Sequence, residues 1–186
     1  FNRTPILTHG MRLREPERCQ RVLRRLMLAP KLQSDLFETL KSAALPDERY
    51  IGVHFRNSDR VTDPEETLSM LDDAVDKSGC KTVWLSSDDP EAMRFFSSRR
   101  TRLRFTGLEM PFSSYGHNLH FGVPDRFAKH QILCALSDMY MLSHASTFLP
   151  ALSSQSGWTR TIDAMRLGNQ DFFGDLSLTS EIGKTK

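Results

Sequence analysis

Three cysteines in 186 residues are too few, and the wrong number, for a disulfide framework. Cys19, Cys80 and Cys134 stand far apart, with no CxxC pair and no Cys/His spacing of a zinc site. Three reduced thiols in a reducing compartment are expected, which points to a cytoplasmic, bacterial-like location. Charge of one sign is scarce as well. The 25 Lys and Arg against 23 Asp and Glu leave a formal +2, too little to recommend nucleic acid as a partner. No apolar run approaches a membrane span, and the start carries no signal-peptide pattern. Walker A loops, a GxGxxG after a strand and a GxSxG elbow are all missing, so kinase, dinucleotide and α/β-hydrolase chemistry lack their motifs. No segment repeats and none is of low complexity. The first residue is Phe, as in a processed chain or a piece of something longer.

What is present is ordinary globular material, 39% hydrophobic and 26% charged, enough for one domain with an appendage. Residues 1–31 carry eight Lys or Arg and two acids. A helix is expected from about Glu17, with Val22, Leu23, Leu26 and Met27 on one face and Pro30 closing it. A second runs over 31–44, with Leu32, Leu36, Phe37 and Leu40 on one face. Its basic neighbour reads as solvated surface. From Arg49 the pattern alternates: strands at 50–54, 81–86, 102–105 and 146–149, and helices from Asp63, from Asp88, over 127–142 and over 154–167. A long polar segment fills 107–124. Such strand–helix units predict an α/β fold, a Rossmann-like parallel sheet with helices on both faces. The expected division is a helical linker at 1–48, the α/β domain at 49–175 and a tail at 176–186.

In such sheets ligands meet the C-terminal ends of the strands. The stretch RYIGVHFRNSDR, residues 49–60, places His54, Arg56, Asn57, Asp59 and Arg60 at the end of the first strand. Asp88 and Asp89 follow the second strand, and Ser153, Ser154 and Gln155 the fourth. Arginine for charge, carboxylate for ribose or base and a serine nest for oxygens together suit a nucleoside diphosphate. Each part has a plainer use. Arg56 and Asp59 suit an ion pair, Asp88-Asp89-Pro90 a helix cap, and the serine run another cap. Asp138 suits an exposed helix face, and His54 a core histidine bonded to a carbonyl.

The series HxRxxD (His54, Arg56, Asp59), SSDDP (residues 86–90) and SDMYMLSHA…LSSQSGWTR (residues 137–160) resembles three segments of the fucosyltransferase superfamily, most closely the α1,6 and rhizobial nodulation types. The resemblance spans roughly residues 18–167. It implies the C-terminal half of a GT-B glycosyltransferase, which binds GDP-fucose and transfers fucose to a glycan hydroxyl with inversion. No metal and no other cofactor is expected; the family's N-terminal acceptor half has no room in 186 residues, so the resemblance implies either the donor-binding half of a longer enzyme or a shortened family member. By that resemblance Arg56 binds the β-phosphate, His54 buttresses the pocket or contacts the nucleotide, and Asp88 and Asp89 sit near guanine or ribose. Asp138 holds the motif from beneath, and Ser153, Ser154 and Gln155 contact the diphosphate. Asp59, Glu65 and Glu66 are the candidates for the acceptor proton. The chain departs from the pattern at Asn57, where the α1,6 type often has a second arginine, at Arg60 in place of lysine, and at Pro64, where that type's glutamate falls. The missing N-terminal half and the second arginine lost at Asn57 motivate an alternative, a nucleotide- or glycan-binding module without catalysis.

Overall fold

The computed structural model describes residues 26–46, 49–57, 62–108, 125–150, 157–167 and 170–173. In chain order they form α1 (Pro30–Ser42), β1 (Tyr50–Phe55), α2 (Pro64–Ser78), β2 (Thr82–Ser87) and α3 (Ala92–Arg99). Then come β3 (Arg104–Thr106), α4 (Asp125–His144), β4 (Thr147–Leu149), α5 (Gly157–Arg166) and a 3-10 turn at Gln170–Phe173. The four strands make one all-parallel sheet in the order β3-β2-β1-β4, an α/β fold of Rossmann-like type. In register, Ile51 faces Val83 and Thr147, while His54 faces Ser86.

Alternation along β1 and β2 divides the core in two. Ile51, Val53, Phe55, Val83 and Leu85 pack under Leu68 and Leu71 of α2 and Phe96 of α3. Tyr50 and Trp84 pack with Leu36 and Leu40 of α1, Met141 and Leu142 of α4 and Ile162 of α5. Both faces are therefore covered, which is why all six β1 residues are buried. Each such side chain taken from water contributes about 1.5–3 kcal/mol. No helix among the described residues is long and apolar enough to cross a membrane.

The ends follow local chemistry. Asp63 accepts the Glu65 N–H at 2.9 Å and Pro64 opens α2, while Gly79, at φ 68°, closes it through a 2.8 Å bond to the Val75 carbonyl. Two sequence expectations are corrected. Pro30 begins α1 instead of closing a helix, because a proline suits the first helical position and forces Ala29 before it into extended backbone (ψ 142°). Leu26 and Met27 are accordingly not helical, and Met27 is exposed. The helix after β2 starts at Ala92, not Asp88, since residues 88–91 are used for a turn. The rest of the helix expected from Glu17, most of the 107–124 segment and the tail at 176–186 lie outside the described residues.

At the far end of α4, the Arg166 guanidinium donates to the carbonyls of Leu142 (3.2 Å) and Ala145 (2.5 Å), closing a helix terminus that would otherwise be unsatisfied. The sheet lies unusually close to this helix at Gly52. A Cβ there would meet the Ala145 Cβ at 2.9 Å and the Leu142 Cδ2 at 3.0 Å. Gly52→Ala is expected to lower stability by about 1–3 kcal/mol through overpacking, and Gly52→Val by more. Urea unfolding checks this; an unchanged midpoint for both would show that α4 can yield.

Candidate functional site

The strand order reverses beside β1: β2 and β3 lie on one side and β4 on the other. At such a reversal the connections leave toward opposite faces and open a crevice at the C-terminal edge. Along that edge gather the first residues beyond β1 and β2, with side chains of β1, β2, α4 and α5 beneath them.

Arg56 and Asn57 are the first residues beyond β1. The backbone N–H of Asn57 donates to Asp88 Oδ1 at 2.7 Å, and its side-chain amide donates to Asp89 Oδ2 at 2.9 Å. Arg56 Nε lies 3.9 Å from Asp88 Oδ2, close enough to attract but too far to hydrogen-bond. The arginine side chain is 21% exposed and the Asp88 side chain 8%. The Arg56 carbonyl takes the Thr62 hydroxyl at 2.6 Å. Asp89 is held at two more points: its N–H donates to Ser87 Oγ at 3.0 Å, and its Oδ1 accepts the Glu91 N–H at 2.9 Å. Asp89 thus shapes the turn before α3 while its other oxygen serves β1.

Beneath this edge, on the α4 face, lies a buried polar layer. Asp138 of α4 accepts the Trp84 indole N–H at 2.9 Å and the Ser86 hydroxyl at 2.8 Å. The exposed placement open to it in the sequence is excluded, for the residue is buried. Burial pushes its carboxyl up to about 7, against the opposing pull of the bonds from Ser86 and Trp84. His54, the register partner of Ser86, is also buried, and burial followed by the Arg56 charge lowers it to about 4. It is neutral at pH 7. Its Nδ1 has no hydrogen-bond partner among the described residues, so the carbonyl-bonded core histidine is not what this nitrogen forms. The ring lies 6.4 Å from that of Trp158, near the start of α5, tilted by 48°.

The fold thus brings together His54, Arg56, Asn57, Asp88, Asp89 and, through Ser86, Asp138. Glu65 is elsewhere: it is exposed, and its carboxylate faces Arg99 of α3 at 3.7 Å. Glu66 is exposed on the same helix turn. Asp59, Arg60, Ser153, Ser154 and Gln155 lie outside the described residues. Sequence reasoning passed over Trp84, Ser86, Ser87, Thr62 and Trp158. Strand alternation was the available signal for Trp84 and Ser86, which share the sheet face of Gly52 and His54. Among the described residues no group of three or more His, Cys, Asp or Glu side chains is arranged to hold a metal ion.

Among the described residues the edge offers the Arg56 cation, two carboxylates engaged as acceptors and, in the buried layer, a neutral His54 and the Asp138 carboxyl. It belongs to an α/β domain of Rossmann-like topology. Neither models of known protein families nor curated proteins give a match to the chain.

The Asp138 carboxyl makes stability depend on pH with a definite sign. Its folded value lies above the ordinary carboxylate range, so its contribution is full below pH 4 and is lost as pH rises through about 7. His54 acts oppositely: its lowered value contributes fully above about pH 6.5 and loses that contribution as pH falls toward 4. Asp138→Asn keeps an acceptor for Trp84 and removes only the first effect. Relative to this variant, the wild type is expected to lose ~2–4 kcal/mol between pH 4 and 7.5. Denaturant unfolding at several pH values checks it, and a constant difference across the range would refute the assignment.

Proposed function

We propose that the chain is the donor-binding portion of a GDP-fucose-dependent glycosyltransferase that inverts the sugar carbon without a metal. The observation that carries the reading is Arg56, the first residue past the central strand and half-buried beside the reversal of strand order. A guanidinium there suits a terminal phosphate, because its planar fork holds two oxygens at once. The resemblance of residues 54–59, 86–90 and 137–160 to the fucosyltransferase superfamily supplies the nucleotide and the sugar.

In the proposed reaction an acceptor hydroxyl oxygen bonds to the sugar C1 from the face opposite the diphosphate. The bond from C1 to the β-phosphate oxygen breaks, and GDP leaves with that electron pair. The hydroxyl proton passes to a carboxylate, for which Asp59 and Glu66 are the candidates. Glu65 is the weaker choice, because its carboxylate is turned to Arg99. Negative charge grows on the leaving phosphate. A fixed cation at Arg56 lowers the barrier there, and losing one such donor commonly costs ~10²–10³ in rate.

A second reading, a nucleotide-binding module without catalysis, draws on one observation. Asn57 occupies the position where the α1,6 type often has a second arginine, and it is bonded to both aspartates. Release of free fucose from GDP-fucose separates the two readings. Slow hydrolysis is expected of a transferase, and none despite GDP binding favours the module.

The direct test compares GDP with GMP by calorimetry. Arg56→Lys is expected to weaken GDP by about 1.5–3 kcal/mol, while GMP, which lacks the β-phosphate, changes little. EDTA should leave wild-type GDP binding intact. Equal losses for the two nucleotides, or a large fall in melting temperature with unchanged GDP binding, would overturn the phosphate assignment.

A further inference from the structure

His54 and Ser86 are register partners on neighbouring parallel strands, and both have hydrogen-bonding capacity left over. His54 Nδ1 is sealed from solvent and has no partner among the described residues. The ring nevertheless reaches the rim of the edge, where 9% of the residue is exposed. A buried nitrogen left unbonded costs about 1–3 kcal/mol. Ser86 gives its hydroxyl proton to Asp138 Oδ2 at 2.8 Å, while the Trp84 indole occupies Oδ1 at 2.9 Å. A hydroxyl donates once and accepts twice, so the Ser86 oxygen still has lone pairs to offer. The two strands run roughly 4.8 Å apart, and residues 54 and 86 share one sheet face. Imidazole rotation about χ2 is soft. A small turn of the ring therefore brings Nδ1 to the Ser86 oxygen and satisfies both.

We infer that Ser86 joins Asp138 to His54 as a proton relay, so that the charge on Asp138 decides whether His54 Nε2 offers the edge a donor or an acceptor. With the carboxylate ionised, Nδ1–H donates to the Ser86 oxygen and the Ser86 hydroxyl donates to Oδ2. Nε2 then carries a lone pair. Uptake of one proton reverses the chain. That proton adds at Nε2, the Nδ1 proton passes to the Ser86 oxygen, and the Ser86 proton passes to Oδ2. Asp138 now donates to Ser86, Ser86 donates to Nδ1, and Nε2 carries the N–H. The imidazole is neutral in both states, and the layer has gained one proton.

The surroundings suit this exchange. Burial pushes Asp138 up to about 7 against its two donors, whereas burial and the Arg56 charge lower His54 to about 4. The proton therefore settles on the carboxyl. Cys134, one turn earlier on α4, is pushed up to about 11 by burial and by Asp138, and stays a thiol. Its bonded neighbour His130 is exposed. β2 brings only the neutral Trp84 and Ser86 to Asp138, and α5 brings the Trp158 ring to His54. The charged residues of α5 are Arg160, Asp163 and Arg166, of which the last two act on each other. On α1, Asp35 accepts from Lys129 of α4 at 2.8 Å. The inference stands apart from the diphosphate reading of Arg56.

The test follows the His54 ring by ¹⁵N NMR and the Asp138 carboxyl by ¹³C NMR, on the whole chain from pH 5.5 to 8.5. In the wild type the ring proton should move from Nδ1 at the alkaline end to Nε2 at the acid end. Its midpoint should coincide with that of Asp138, about 7. Asp138→Asn freezes the chain in one sense: the amide oxygen must accept the Trp84 N–H, so the NH₂ donates to Ser86. His54 should then keep its proton on Nε2 at every pH. Ser86→Ala cuts the relay, so Asp138 should still titrate while the His54 tautomer no longer follows it. Ser86→Thr returns the hydroxyl and should return the coupling. A constant wild-type tautomer would overturn the inference, and so would an Asp138 that does not titrate in this range. A tautomer change that persists in Ser86→Ala would overturn it as well, assigning His54 to another partner. Thermal melts show which variants fold. Should Ser86→Ala not fold, Asp138→Asn decides alone, and a tautomer that still moves with pH there would refute the relay.

Discussion

A buried carboxylate ties the central sheet to its largest helix. Asp138 on α4 reaches β2 at two points, the indole N–H of Trp84 and the hydroxyl of Ser86. Trp84 is fully buried and packs its ring among residues from α1, α4 and α5. Its N–H would be an orphan without an acceptor, a loss of about 1–3 kcal/mol. The same contact sets how far along β2 the helix sits. Ser86 is in register with His54, so the helix is referenced through Ser86 to the end of β1. Gly52 completes the arrangement two residues earlier, by letting α4 approach the strand closely.

The polar edge above that tie is assembled from short sequence segments with long-range partners. β1 ends in Arg56 and Asn57, and β2 ends in Ser87, Asp88 and Asp89; parallel pairing of the two strands brings these ends level. Parallel strands need a crossover between them, and α2 supplies it with a cap at Asp63 and a left-handed close at Gly79. The helix therefore fixes the distance over which Asn57 must meet its acids. Local backbone signals thus serve the geometry of the edge as much as any side chain in it.

Much of this architecture was legible in the sequence. Apolar runs at 50–54 and 81–86 marked the two central strands to within a residue, and Asp63-Pro64 marked the start of α2, because caps and β-rich runs are local signals. The parallel α/β class followed from their alternation, and so did the placement of His54, Arg56, Asp88 and Asp89 at strand ends. Partners were not legible. Nothing near residue 138 says that its carboxyl turns toward β2, since apolar neighbours surround it on both sides along the chain. Asn57 gave no sign of bonding two residues more than thirty positions away. Pro30 was misread because a proline is equally a stop for the helix before it and a start for the helix after it, and only the backbone distinguishes them.

One property of the β2 end has a consequence for binding of any kind. Four consecutive residues there, Ser86 to Asp89, each have a bonded side chain: Ser86 to Asp138, Ser87 to the Asp89 N–H, and Asp88 and Asp89 to Asn57. Short polar side chains in a strand-end loop ordinarily keep rotamer freedom that a ligand must quench. Here that freedom is surrendered during folding, where it is offset by the cooperative gain of the whole sheet. A molecule arriving at this edge meets groups already in place, so the entropy of ordering them does not subtract from its affinity.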